Sequence, residues 1–204
     1  MHIVLCTCCV DFASIRPILR VMDSTLDLTR RDGLPEALYA LRADYPRDTW
    51  QDHKNFDGLV AFWLDRHLMF RRLSETLRQD AEALVDRNIE PRQMQARLSR
   101  FGGMLLQQLH GHHQIEDMHY FPKLVGVEAR LSRGFEILDR DHHAMDGLLQ
   151  RFADSANGVL QDKVEAGAYH TEVTGFEALL LRHLEDEEDL IVPILLKHGP
   201  QGIE

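Results

Sequence analysis

His112 and Glu116 stand four residues apart in LHGHHQIEDMHYFP, and His183 and Glu187 stand four apart in LLRHLEDEEDLIVP. Pro122 and Pro193 follow the two glutamates at the same interval, so the chain carries the unit His-x-x-x-Glu-x-x-x-x-x-Pro twice. On an α-helix, residues i and i+4 lie on one face, one turn apart. Each unit therefore offers an imidazole and a carboxylate to the same point in space. Two such helices facing each other would form a nitrogen–oxygen box suited to a pair of metal ions.

The rest of the chain supplies the helices such a box needs. Sustained period-2 alternation of β-branched residues is absent, and Gly and Pro fall at plausible helix ends. Asp32-Gly33 reads as a turn, and Pro35 as the first residue of a short helix through Ala43, ended by Tyr45-Pro46. Residues 47–55 read as a loop. Four long helical segments follow, from about Phe56 to Asp86, from Pro91 to about Phe121 where Pro122 stops the helix, from about Ala129 to Ala153, and from near Val164 to His198, stopped by Gly199-Pro200. Short connections favour antiparallel neighbours. The expectation is an all-α fold, an up-down-up-down four-helix bundle over residues 55–199 with an N-terminal helical extension over 1–54.

Each helix carries an apolar stripe interrupted by histidine. His67 falls between Trp63 and Phe70, and His112 shares a side with Leu105, Gln108 and Glu116. His142 is flanked by Leu138 and Met145, and His183 and Glu187 stand among Leu180 and Leu190. Four histidines and two glutamates thus point to a common interior. A lone histidine on such a face is usually a satisfied core residue, but two buried carboxylates without partners cost several kcal/mol each. A pair of dications neutralises them. The donor set has no thiolate in the bundle and too many ligands for a single catalytic zinc. Carboxylates that bridge two ions about 3.5–4 Å apart suit iron or manganese, and iron is preferred here over manganese or zinc.

HHQIEDMHYFP, DRDHHAMDGLL and HLEDEEDLIVP closely resemble the hemerythrin-like, or HHE cation-binding, domain, and WLDRHLMFRRL resembles that family's first ligand helix. The resemblance spans about residues 56–198 with all motifs in order. It implies a left-twisted four-helix bundle around two non-haem iron ions with an oxo or hydroxo bridge, in which His67, His112, His142 and His183 are terminal ligands and Glu116 and Glu187 bridge. The chain departs from the oxygen carriers in two places. Asp146 stands where they have a second histidine on the third helix, and His183-x-x-x-Glu187 replaces their His-x-x-x-x-Asp. It therefore resembles the intracellular bacterial branch. CTCCVDF lacks the Cys-Cys-Gly-Gly pattern of the iron-repair members, which leaves a repair role without support from the N-terminus.

Three further residues are candidates for ligation or for holding a ligand in place. His113 is rotated about 100° from His112 and lies close to Glu116. His119 lies two turns beyond His112, in the Glu-x-x-His spacing of ferritin-like di-iron bundles. Asp146, one turn from His142, could accept a proton from that imidazole and fix its tautomer. His110 and His143 are expected to point to solvent, and so are the members of the acidic run 185–189 other than Glu187. Tyr120 and Tyr169 read as bundle-edge tyrosines, with a radical or hydrogen-bonding role near the metals as the alternative. Arg71, one turn from His67, reads either as a carboxylate partner or as a surface residue.

Composition narrows the partners. A net charge of −10 argues against nucleic acid or an anionic membrane, and no apolar run approaches the roughly 20 residues of a bilayer span. The only cysteines are Cys6, Cys8 and Cys9, too few and too close for a disulfide framework, which fits a reducing, cytoplasmic compartment. The segment 1–21 is a poor signal peptide and reads as a disordered arm or a start-site artefact. The expected function is binding or sensing of O2 or NO, or handling of iron and redox stress. The alternative is a di-iron enzyme acting on peroxide or ferrous iron, and the plainest reading is a helical scaffold that binds zinc adventitiously.

Overall fold

A computed structural model describes residues 24–56, 58–199 and 203, all of them helix, turn or irregular chain, with no strand among them. The cysteines and the arm over 1–21 lie outside the described residues. Six α-helices follow a leading segment of 3-10 turns: α1 (Gly58–Val85), α2 (Pro91–Arg97), α3 (Gly103–Ile115), α4 (Phe121–Val127), α5 (Ser132–Leu160) and α6 (Ala166–His198). Two π-helical turns, Leu98–Gly102 and Glu116–Tyr120, join α2 to α3 and α3 to α4, so the second helical segment runs on from Pro91 to Val127. Pro122 does not stop it. The proline lies in the first turn of α4, just past the π turn, where its missing N–H falls at the change from i→i+5 to i→i+4 bonding.

The connections are tight. Arg87, between α1 and α2, and Asp162, between α5 and α6, take left-handed φ values of 59° and 55°. Gly199, at φ 71°, ends α6 as expected from its sequence, its N–H donating to the Leu195 carbonyl at 2.8 Å. The leading segment differs from expectation. The short helix anticipated over 35–43 is a 3-10 turn at Glu36–Tyr39, and the anticipated loop contains a 3-10 helix, Arg47–Asp52.

In the bundle, α6 packs against α1 and α5, and α3 packs against the same two helices. The apolar interior comes in two parts. One gathers Phe70, Leu77, Leu109, Met145, Phe152 and Leu184, and the other gathers Trp63, Phe121, Leu138, Leu190 and Leu195. On α1 the break falls between Trp63 and Phe70, on α5 between Leu138 and Met145, and on α6 between Leu184 and Leu190. His67, His142 and Glu187 stand in those breaks, His183 lies next to the one on α6, and all four are buried. A polar layer therefore crosses the middle of the bundle.

Past that layer α6 is buried on every side from Leu190 to Leu196, which an amphipathic surface helix cannot be. The leading segment supplies the cover: Leu34, Leu38, Leu41 and Trp50 belong to the same apolar cluster.

Candidate metal centre

Two groups of side chains that could hold a metal ion occupy the polar layer: His67, His112, Glu116 and Glu187 in one, and His113, His142 and His183 in the other. Within each group the ligand atoms lie within 4.8 Å of one another. His67 Nε2 is 3.2 Å from His112 Nε2, and His142 Nε2 is 3.1 Å from His183 Nε2. Each carboxylate spans the groups. Glu116 approaches His112 Nε2 at 2.9 Å with one oxygen and His142 Nε2 at 3.7 Å with the other. Glu187 Oε2 is 3.4 Å from His67 Nε2 and 3.5 Å from His183 Nε2. None of these approaches has hydrogen-bond geometry, so all four carboxylate oxygens are buried without a donor, as are both ring nitrogens of His113.

The phase of α3 explains why His112 and His113 both face inward. At about 100° per residue, Glu116 comes about 40° round from His112 and about 60° short of His113, between the two. One carboxylate on that helix is thus placed to meet both imidazoles. His113 stacks on His142, with centroids 4.0 Å apart and an interplanar angle of 10°. The layer therefore holds five imidazoles where four were expected, two of them, His112 and His113, from α3.

His119 and Asp146 belong to neither group. His119 is exposed. It lies inside the π turn, where the i→i+5 bonding adds a residue to the turn and the α-helical phase that would align it with His112 is lost. The side chain of Asp146 is 59% exposed and faces His110 at 3.5 Å. Asp117 takes the role foreseen for it, 2.7 Å from His142 Nδ1.

Two of the other imidazoles are held in the same way. His67 Nδ1 meets Glu188 at 3.0 Å, and His183 Nδ1 meets Asp141 at 3.5 Å. A proton on Nδ1 shared with a carboxylate leaves the Nε2 lone pair facing the centre, the tautomer a metal ligand needs. Arg71 and Arg47 bind Glu188 at 2.6 and 2.9 Å, and Arg47 also binds Asp189 at 2.6 Å. Arg31 binds Asp141 and Asp186. The acidic run is thus no solvated face: Asp186, Glu188 and Asp189 are buried. Arg182, one turn before Asp186, binds it at 2.6 Å, but Arg31, Arg47 and Arg71 lie far away in the chain, and no local pattern could reveal them. Arg71 is a carboxylate partner. Tyr120 packs on Trp63, centroids 4.9 Å apart, while Tyr169 stands by Phe152 in the other apolar cluster.

Burial decides the charges. Desolvation lowers the pKa of His112 and of His183 to about 3, with His142 adding to the effect, and Asp141 only partly offsets it at His183. Desolvation holds His113 well below its usual range. It also raises Glu116 and Glu187 well above theirs, and the mutual repulsion of the two carboxylates raises Glu187 further. Glu188 and Asp141 also pay for burial, but the bonds to His67 and Arg71 on one, and to Arg31 and His183 on the other, outweigh it and lower both.

His112, His113 and His183, which burial keeps neutral, and two carboxylates without a donor make a donor set that fits a divalent metal pair. A cavity of about 510 Å³ lies between α1 and α3, lined by Phe62, Trp63, Arg66, Ile115 and Tyr120, and it reaches His112 and Glu116. His112 is the histidine of the two groups that is not fully buried, its side chain 11% exposed. No helix of the described residues is long and apolar enough to cross a membrane.

Comparison with protein-family models matches residues 58–195 to the hemerythrin HHE cation-binding domain. No curated protein and no solved structure matches the chain. The match covers most of the chain and includes every residue of the two groups, and the chain belongs to the hemerythrin HHE cation-binding family.

Proposed function

We propose that the protein is a non-haem di-iron protein, built on an up-down-up-down four-helix bundle in the cytoplasm, that binds or senses a diatomic ligand such as O2 or NO. The observation that carries this reading is the pair of donor-free carboxylates, Glu116 and Glu187, each spanning both imidazole groups. His67 and His112 would hold one ion and His113, His142 and His183 the other, with the two glutamates shared. Iron, when bound, supplies one-electron redox chemistry and an open position for a small ligand.

The chain's residues set where that position lies. A six-coordinate ion has fewer protein donors on the two-imidazole side, and this is the side the cavity reaches. Trp63 and Phe70, which pack against His112 at centroid distances of 6.0 and 5.1 Å, keep bulk water off that imidazole. Asp117, Glu188 and Asp141 hold the Nδ1 protons, which keeps the Nε2 atoms facing the centre.

The cavity is far larger than a diatomic requires, and this favours one second reading, turnover of peroxide or of ferrous iron at the same site. Anaerobic purification, metal counting and visible spectra before and after addition of O2 and peroxide separate the two. A band that forms with O2 and reverses under vacuum supports binding, whereas rapid peroxide consumption supports the enzyme. Fewer than two irons per chain with no charge-transfer band overturns both.

A further inference from the structure

Two of the ligand imidazoles are backed by carboxylates that are themselves held from outside the bundle. Asp141 faces His183, and Arg31 closes a fork on it, Nη1 donating to Oδ1 at 2.8 Å and Nη2 to Oδ2. Arg31 also donates to Asp186 through Nε and Nη2 at 3.1 and 3.0 Å, and to the Leu26 carbonyl at 2.9 Å. That uses all five N–H donors of the guanidinium. Its side chain is buried. At the other group, His67 and Arg71 share Oε1 of Glu188, while Arg47 takes Oε2. Arg31 and Arg47 both belong to the segment ahead of α1, and the family match begins only at residue 58.

We propose that Arg31 and Arg47 are positioning residues of the metal centre: each fixes the plane of a carboxylate that orients one ligand histidine, one in each imidazole group. The segment 24–56 is thereby part of the site and more than a cover for α6. The physical case is that a carboxylate facing an imidazole orients it only if the carboxylate is itself held. Asp141 receives no other arginine among the described contacts, so without Arg31 it is a buried anion free to turn away from His183. His142 supplies an internal control, because Asp117 holds it without help from the leading segment.

The proposal rests on the metal-centre reading, and its test keeps the two apart. Zinc serves as a redox-silent probe, and spectra of protein with 15N-labelled histidine report each Nδ1–H in the zinc-loaded full chain. Arg31→Gln is expected to shift the His183 resonance and Arg47→Gln the His67 resonance, each leaving His142 in place and each lowering zinc affinity about tenfold, the low end for lost partners of ligand histidines. Arg47 is 38% exposed, so its variant keeps the test open if burial makes Arg31→Gln unfold. Unmoved resonances with unchanged affinity overturn the proposal, and so do shifts of all three histidines together, the signature of general loosening. A wild-type chain that fails to take up two zinc ions overturns the metal-centre reading and this proposal with it.

Discussion

A buried carboxylate that no N–H reaches must keep its proton or meet a cation, and Glu187 is in that position with both oxygens. Replacing it by alanine should lower the metal content and the melting temperature of the metal-loaded protein together, because a ligand bound only to the folded state stabilises it by mass action. In the chelator-treated protein the same substitution should cost little or even stabilise, since it removes a desolvated acid. Metal analysis with paired melts decides, and an unchanged metal count tells against Glu187 as a ligand. A second test concerns phase. His113→Leu should lose metal, whereas His119→Ala and Asp146→Ala should retain it all. The spacing of His112, Glu116, His183 and Glu187 was legible because i, i+4 fixes a common face whatever the packing. The choice between His113 and His119 was not, because it depends on a π turn at Glu116–Tyr120 that no propensity pattern announces. Of the partners of the acidic run only Arg182, one turn from Asp186, follows from local spacing; Arg31 and Asp186 lie more than a hundred positions apart.

Among the elements, α6 bears the heaviest demands. It carries His183 and Glu187, holds Pro193 within its span, and is buried on all sides from Leu190 to Leu196. Its seam with α5 depends on Gly134, where an added Cβ would come 2.7 Å from Leu190 Cδ2. Leu190 is itself 1% exposed and has no room to withdraw. Gly134→Ala should therefore destabilise the protein by about 1–3 kcal/mol, the usual cost of overpacking. Urea titration measures the loss, and metal content at saturating metal should be unchanged because the contact lies beyond the ligand layer. The helical character was readable from the 3.6-residue period, and so was the glycine stop at Gly199. The continuation through Pro122 was not, because a proline breaks an α-helix in general and is harmless only where the bonding register changes. The run Leu190–Leu196 is unbroken in its hydrophobicity, and what covers it is a segment from the far end of the chain.

Across the whole molecule, the ligand layer sets how stability depends on pH, and opposite shifts compete. His112 and His183 titrate at about 3 in the folded, ion-free protein against an ordinary 6.5. Below pH 6.5 the unfolded chain binds more protons than the folded one at these sites. Stability is therefore present above 6.5 and is lost as pH falls toward 3, by on the order of 1.4 kcal/mol per pH unit for each histidine. Glu116 and Glu187 act in the other direction. Their folded pKa values lie well above the ordinary 4.5, so the folded state holds protons that the unfolded chain has released, and stability is lost as pH rises past 4.5. Between 4.5 and 6.5 the two sets oppose each other. Below that window the histidines act together with Glu188 and Asp141, whose lowered folded pKa values also make stability fall with pH, and above it Glu116 and Glu187 act. Urea titrations of chelator-treated protein should therefore give a stability maximum between about pH 4.5 and 6.5, with a fall on both sides. Metal loading should remove the alkaline fall, because a bound dication stabilises the ionised carboxylates, and should steepen the acid fall, because protons displace the metal. Ion-free stability that keeps rising from pH 6.5 to 8.5 would show that Glu116 and Glu187 are already neutralised by some other group, and it would remove the electrostatic argument for a cation in this layer.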